Sequence, residues 1–197
     1  QPVKEPVQTG IKAVDAMTPQ ALIQRFAGAA PWEPHIPGDG RLFNQRSPSP
    51  AAVLVPLVQR GDGLHVLLTR RTEHLRDHAG QISFPGGRIE PGDADAVTAA
   101  LREAEEEVGL PPSHVEVIGR LPAYTTITAY VVTPVVALVR PGFALALDPF
   151  EVAEVFEVPL AFLMTPQNYT SESRDWNGLT LRLHAVRFDE RNIWGAT

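Results

Sequence analysis

Residues 86–110 read GGRIEPGDADAVTAALREAEEEVGL, and within them Glu103, Glu106 and Glu107 stand at i, i+3 and i+4. On a helix that spacing gathers the carboxylates on one face. Like charges so placed cost an isolated helix roughly 0.2–0.5 kcal/mol per pair, which makes most sense if a cation sits over them. The cluster therefore predicts a divalent metal site. The helix is predicted from its ends: Asp93, after Pro91 and Gly92, is the expected N-cap, and Gly109 ahead of Pro111 and Pro112 is the stop. Between them Val97, Ala100, Leu101, Ala104 and Val108 form an apolar stripe, expected on the face away from the glutamates. Glu105 falls outside the cluster and reads as a solvated charge. The plainer alternative is an ordinary solvated acidic face with Arg102 paired to Glu106 at i, i+4.

The residues before the helix favour the metal. Phe84-Pro85-Gly86-Gly87 ends an extended stretch and feeds a turn-rich loop. Gly86 and Gly87 can bring backbone N–H and carbonyl groups close to an anion or a hard cation with no Cβ in the way.

With these residues in place the chain resembles the Nudix hydrolases. Their box reads Gly, five residues, Glu, seven residues, Arg-Glu-aliphatic-any-Glu-Glu-any-Gly-aliphatic. Gly87, Arg102, Glu103, Ala104, Glu106, Glu107, Gly109 and Leu110 fill those roles. The departure is Asp93, which stands where the family has its first glutamate and is separated from Arg102 by eight residues, not seven. A second stretch, LLTRRTEHLRDHAGQISFPGG at 67–87, is similar to the extra motif of the coenzyme A pyrophosphatase subgroup, which shares that longer spacing. Leu67, Leu68, Thr69, Arg71, Arg76, Gly80, Phe84, Pro85, Gly86 and Gly87 fall on it, and Thr72 replaces the usual Ser or Ala.

The resemblance implies an α+β fold, an α/β/α sandwich with a mixed sheet and a loop-helix-loop box. It implies Mg²⁺ or Mn²⁺ on Glu103, Glu106 and Glu107, with the Gly87 carbonyl as a further ligand, and the same glutamates as the catalytic set. Substrate contacts are expected from Arg71, Arg76, Phe84, Gly86 and Gly87. The arginines are candidate anion clamps, because guanidinium binds phosphate bidentately; ion pairs with Glu73 or Asp77 are the alternative. His74 and His78 are expected to be structural or exposed. Glu106 is the candidate for taking a proton from water, with Glu151 and Glu154 as other carboxylates for that role or for the metal. The implied reaction is cleavage of coenzyme A or a derivative to 3',5'-ADP and 4'-phosphopantetheine. Two other functions stand beside it: hydrolysis of ADP-ribose or NADH-type nucleotides, and nucleotide binding without turnover. The second is disfavoured by the presence of all three glutamates.

Composition bounds the rest. A chain of 197 residues with 44% hydrophobic content suits one well-buried domain. A formal net charge of -6 argues against nucleic acid and membrane surfaces as partners and leaves a small molecule. The lack of cysteine fits a reducing, cytoplasmic setting.

Along the chain, residues 1–50 are expected to be an arm with a helix at 18–27 and a Pro-rich stretch, and residues 51–197 the catalytic domain. Strands are predicted at 51–59 and 64–71, joined across Gly61-Asp62-Gly63, and at 115–121, 129–139, 151–158 and 179–188, with a helical turn at 160–164. Where the family usually enters a C-terminal helix, the chain reads Ile193-Trp194-Gly195-Ala196-Thr197, and that helix is expected to be absent.

Overall fold

The computed structural model describes residues 17–30, 33, 38, 47–75, 78–176 and 178–197. Its frame is a mixed sheet whose middle strand, β1 (Ser49–Arg60), turns through Gly61-Asp62 into antiparallel β2 (Gly63–Arg71). The hairpin pairs only near its turn, in the register Leu57↔Val66 to Arg60↔Gly63. Beyond that the two strands part, and the segment β3 (Ile82–Ser83) to β4 (Gly86–Arg88) enters between them. β3 pairs with β2, β4 pairs with β1, and the Leu54 N–H donates to Pro85 O at 2.9 Å. Pro56 lies where the partners change, which is where a strand tolerates a missing N–H.

On its other edge β1 runs parallel to β7 (Tyr130–Val139), which pairs with β5 (Val115–Arg120) and β6 (Tyr124–Thr125); β8 (Val152–Pro159) closes the far side on β2. Alternation decides which face each side chain serves. Ala52, Leu54, Val58, Leu67, Val135, Ala137 and Val139 point to one core; Leu57, Val66, Leu68, Val136 and Leu138 point to the other.

The first face is covered by α2 (Ala96–Val108), whose Ala99, Ala100 and Ala104 are buried and let the helix lie close to the sheet. The N-cap is Asp95, not Asp93: its carboxylate accepts from the Thr98 N–H at 2.8 Å. Such a cap is worth about 1 kcal/mol. The helix stops at Gly109, as expected, in the left-handed conformation at φ 69.

The second face carries α1 (Pro19–Gly28), α3 (Leu160–Leu163) and a separate antiparallel sheet of β9 (Tyr169–Trp176), β10 (Leu179–Phe188) and β11 (Arg191–Trp194). Leu22 and Phe26 of α1 pack into this core, and a Cβ on Gly119 would meet the Phe26 ring. The helix of the N-terminal arm is therefore docked on the domain. Residues 193–194 lie in β11 and 195–197 in the turn after it. The layered α+β architecture is as expected. Among the described residues, no helix is long and apolar enough to cross a membrane.

Candidate active site

The wedge of β3–β4 and the inner side of α2 meet at two carboxylates. Glu107 is 6% exposed and accepts from the Gly86 N–H at 3.2 Å. Burial pushes its carboxyl up to about 8, against the Gly86 N–H and the charge of Arg71, which favour the ionised form. Glu103 is half-buried one turn earlier, and burial moves it upward too, in spite of Arg102. The charge of Glu103 raises Glu107, and the charge of Glu106 raises Glu103. Gly87 is what gives Glu103 its place: a Cβ there would stand 2.5 Å from Glu103 Oε1. The glutamates are thus not all on the face away from the core. Positions 103 and 107 continue the line of Ala96, Ala99, Ala100 and Ala104, at the edge of the packed stripe.

Glu106 is placed differently. Its side chain is 59% exposed and accepts from Arg102 Nη1 at 2.9 Å, the i, i+4 pair of the plainer alternative. Arg102 also donates to Glu103 Oε1 at 3.0 Å, to the Arg88 carbonyl at 3.2 Å, and to both oxygens of Asp93 at 3.0 Å. Asp93, expected to cap the helix, instead grips Arg102 with both oxygens and accepts from the Glu90 N–H at 2.8 Å. Its bond to Arg102 holds its carboxyl below the usual range. The position that departs from the family's box is a clamp on the box arginine.

The upstream motif reaches the same place. Arg71, at the end of β2, brings Nη1 to 3.8 Å from Glu107 Oε1, and its Nε is buried without a hydrogen-bond partner. Its ion-pair partner among the described residues is thus Glu107, not Glu73. Arg76 and Asp77 lie outside the described residues. Phe84 turns away from the carboxylates: it packs in the second core and lines a cavity of about 400 Å³ there, against Val55, Leu57 and Trp194. That cavity is lined by none of the box glutamates.

Thr72 is buried; its N–H donates to Glu151 O at 3.0 Å and its hydroxyl to Phe150 O at 2.7 Å. This holds the start of β8 beside the site, and the charge of Glu151 raises both Glu103 and Glu107. Glu154 is engaged elsewhere, by Arg70 at 3.2 Å and by Arg191. His74 is exposed against the Phe150 ring, and His78, at φ 59, bonds Gln81. Among the described residues, no three Asp, Glu or His side chains converge closely enough to form a ready-made metal cage.

Residues 48–176 match the family model of the NUDIX domain. The chain belongs to the Nudix hydrolase family. It is 47% identical to a protein of Escherichia coli K12 described as "Uncharacterized Nudix hydrolase NudL", over 75% of this chain and 76% of that one. The counterpart in Shigella boydii is 46% identical over the same shares. Among solved structures, the Mycobacterium smegmatis Nudix hydrolase RenU matches with a TM-score of 0.50 and 23% identity, over 58% of this chain and 73% of that one. This likeness supports the fold.

As a Nudix hydrolase the chain acts on a nucleoside diphosphate derivative, and the family generally uses divalent metal ions. The Nudix box residues are oxygen donors, the chemistry that suits a hard cation. One of them, Glu107, is buried, and the half-buried Glu103 has its carboxylate against Gly87, where a Cβ would displace it. The sequence reading missed the clamp by Asp93 and the support from Thr72. Neither side chain has a local pattern; both act on residues that only the fold brings near.

Proposed function

We propose that this Nudix hydrolase cleaves the diphosphate of coenzyme A, or of an acylated or oxidised derivative, to 3',5'-ADP and the matching 4'-phosphopantetheine, in the cytoplasm. The observation that carries this is the meeting of the two motifs: Arg71 of the upstream motif lies beside Glu107 of the box, with its Nε buried and unbonded. A guanidinium in that state has donors to spare for a phosphate oxygen. Arg76, five positions on in the same motif, is assigned the second anion contact.

Mg²⁺ or Mn²⁺ is assigned to Glu103, Glu106 and Glu107, with the Gly87 carbonyl. When bound, the cation neutralises diphosphate oxygens and makes a bound water more acidic. Glu103 and Glu107 are held for it by the tight approach of α2 to β4, and Glu106 is exposed enough to move. Arg102, fixed by Asp93, orients Glu103 and Glu106.

The test is incubation with coenzyme A and Mg²⁺, following products by mass, with dephospho-coenzyme A, ADP-ribose and NADH in parallel. Release of 3',5'-ADP from coenzyme A well ahead of the others is the expected result. Cleavage of another diphosphate with coenzyme A intact would overturn the substrate and leave the Nudix chemistry standing. No cleavage with either ion would favour binding without turnover. Arg76→Ala is expected to weaken coenzyme A more than dephospho-coenzyme A; equal losses would remove that arginine from the 3'-phosphate.

A further inference from the structure

The segment between β7 and β8 exposes apolar side chains at the rim of the site. Leu145 and Leu147 are each 37% exposed and Phe150 is 62% exposed. An exposed apolar group of this kind on a well-packed domain marks a contact surface more often than a lone exposed residue does.

The segment is firmly attached. The Ala146 N–H donates to Val108 O and the Asp148 N–H to Glu107 O, both at 2.9 Å, so it runs along the C-terminal end of α2. Gly109 permits this approach, since a Cβ there would stand 2.7 Å from Ala146 N. Asp148 Oδ1 then accepts from the Phe150 N–H at 2.8 Å, and the Phe150 carbonyl accepts from the Thr72 hydroxyl at 2.7 Å. Phe150 is therefore fixed at both its backbone groups, to Glu107 through Asp148 and to the neighbour of Arg71 through Thr72. The His74 ring supports one side of it, with centroids 4.7 Å apart and planes tilted by 57°. A large aromatic ring is thus held in the open, one residue from Glu151 and within the same bond network as Glu107.

We propose that Phe150, backed by His74, is the platform on which the nucleobase of the substrate stacks. Its backbone is tied at both groups and the ring rests against His74, which reduces the conformational freedom lost when a base settles on it. Every base has a π-face, so the platform selects for a nucleoside and not for its identity. This rests on the nucleoside diphosphate chemistry of the family and is independent of whether the other half of the substrate is pantetheine.

The test is calorimetric and needs no turnover: the full chain with Mg²⁺ is titrated with α,β-methylene-ADP and with methylenediphosphonate, which has the diphosphate but no base. Phe150→Ala is expected to weaken the nucleotide about tenfold, within the range of stacking on one ring, and to leave the diphosphonate unchanged. Phe150→Trp should restore nucleotide binding. Phe150→Leu keeps apolar area without a π-face and should behave as alanine does. Equal weakening of both ligands, no weakening of either, or recovery by leucine would each overturn the platform, the last by assigning the rim to an aliphatic group. Because both probes lack pantetheine, failure here is distinct from failure of coenzyme A in the cleavage assay.

Discussion

The two faces of the central sheet are built to opposite ends. Where α2 meets β4, alanines and glycines bring backbones close and carboxylates are buried with little room around them. Where the β9–β11 sheet covers the other face, large apolar side chains such as Val186 and Ile193 are buried and a cavity of about 400 Å³ remains. The first face stores unfavourable charge that a cation can relieve; the second supplies apolar burial. Changes on the first face should therefore cost activity, and changes on the second should cost stability.

The largest expected effect is on turnover. Glu107→Gln keeps the shape of the side chain and removes its charge, and should lower kcat about a thousandfold, in the range for losing one metal-held or proton-transferring carboxylate. The melting temperature should stay level or rise. Unchanged turnover, measured on whichever diphosphate the protein cleaves, would mean that the buried carboxylate is structural.

The same residue gives the metal-free protein a pH dependence whose sign is fixed. Glu107 titrates near 8 when folded and near 4.5 as an ordinary glutamate. Between those values the folded chain holds a proton that the unfolded chain has released, so stability falls as pH rises through this window and is level below it. Glu103 is shifted the same way and adds to the slope. At about 1.4 kcal/mol per pH unit, the total is on the order of a few kcal/mol. Denaturant melts in EDTA from pH 5 to 8 should show the decline, and Glu107→Gln should flatten it. A rise in stability over that range would mean that the Arg71 pair outweighs desolvation. On the opposite face, Ile193→Ala should cost roughly 2–4 kcal/mol of stability and leave kcat within about twofold. A large loss of turnover in a folded Ile193→Ala protein would break the division between the faces.

The division also explains what could be read in the chain. The helix, its stop at Gly109 and the β1–β2 hairpin are local patterns, and each is found at its expected place. The N-cap was misplaced by two residues because Asp93 and Asp95 both follow Pro91-Gly92; only the fold shows that Arg102 claims the first. The strands β3, β4, β6, β9 and β11 were not foreseen. All but β9 have four residues or fewer, too short for an alternation to register, and β3 and β4 exist because the parted hairpin offers them free edges; β9 reads YTSESRDW, too polar for an apolar alternation. The burial of Glu107 was likewise illegible: a helical wheel separates charge from apolar groups, whereas the sheet edge brings Gly86 up to the boundary between them.

The finest test lies in two adjacent glycines that the sequence treats alike. A Cβ on Gly86 would stand 2.4 Å from Ala52 O and 2.7 Å from Val53 Cα, both main-chain atoms of the neighbouring strand. The atoms nearest a Cβ on Gly87 are those of the Glu103 carboxylate, the far end of a side chain that can turn aside. Gly86→Ala must therefore push β4 off β1 and should cost about 1–3 kcal/mol of stability. Gly87→Ala should cost less than about 0.5 kcal/mol yet lower kcat, because the carboxylate it displaces is one of those assigned to the cation. Thermal melts and kcat on the two purified variants separate the cases. If Gly87→Ala instead loses as much stability as Gly86→Ala while Mn²⁺ affinity is unchanged, then Gly87 serves the strand and not the site, and the contrast holds between the faces of the sheet but not within the wedge.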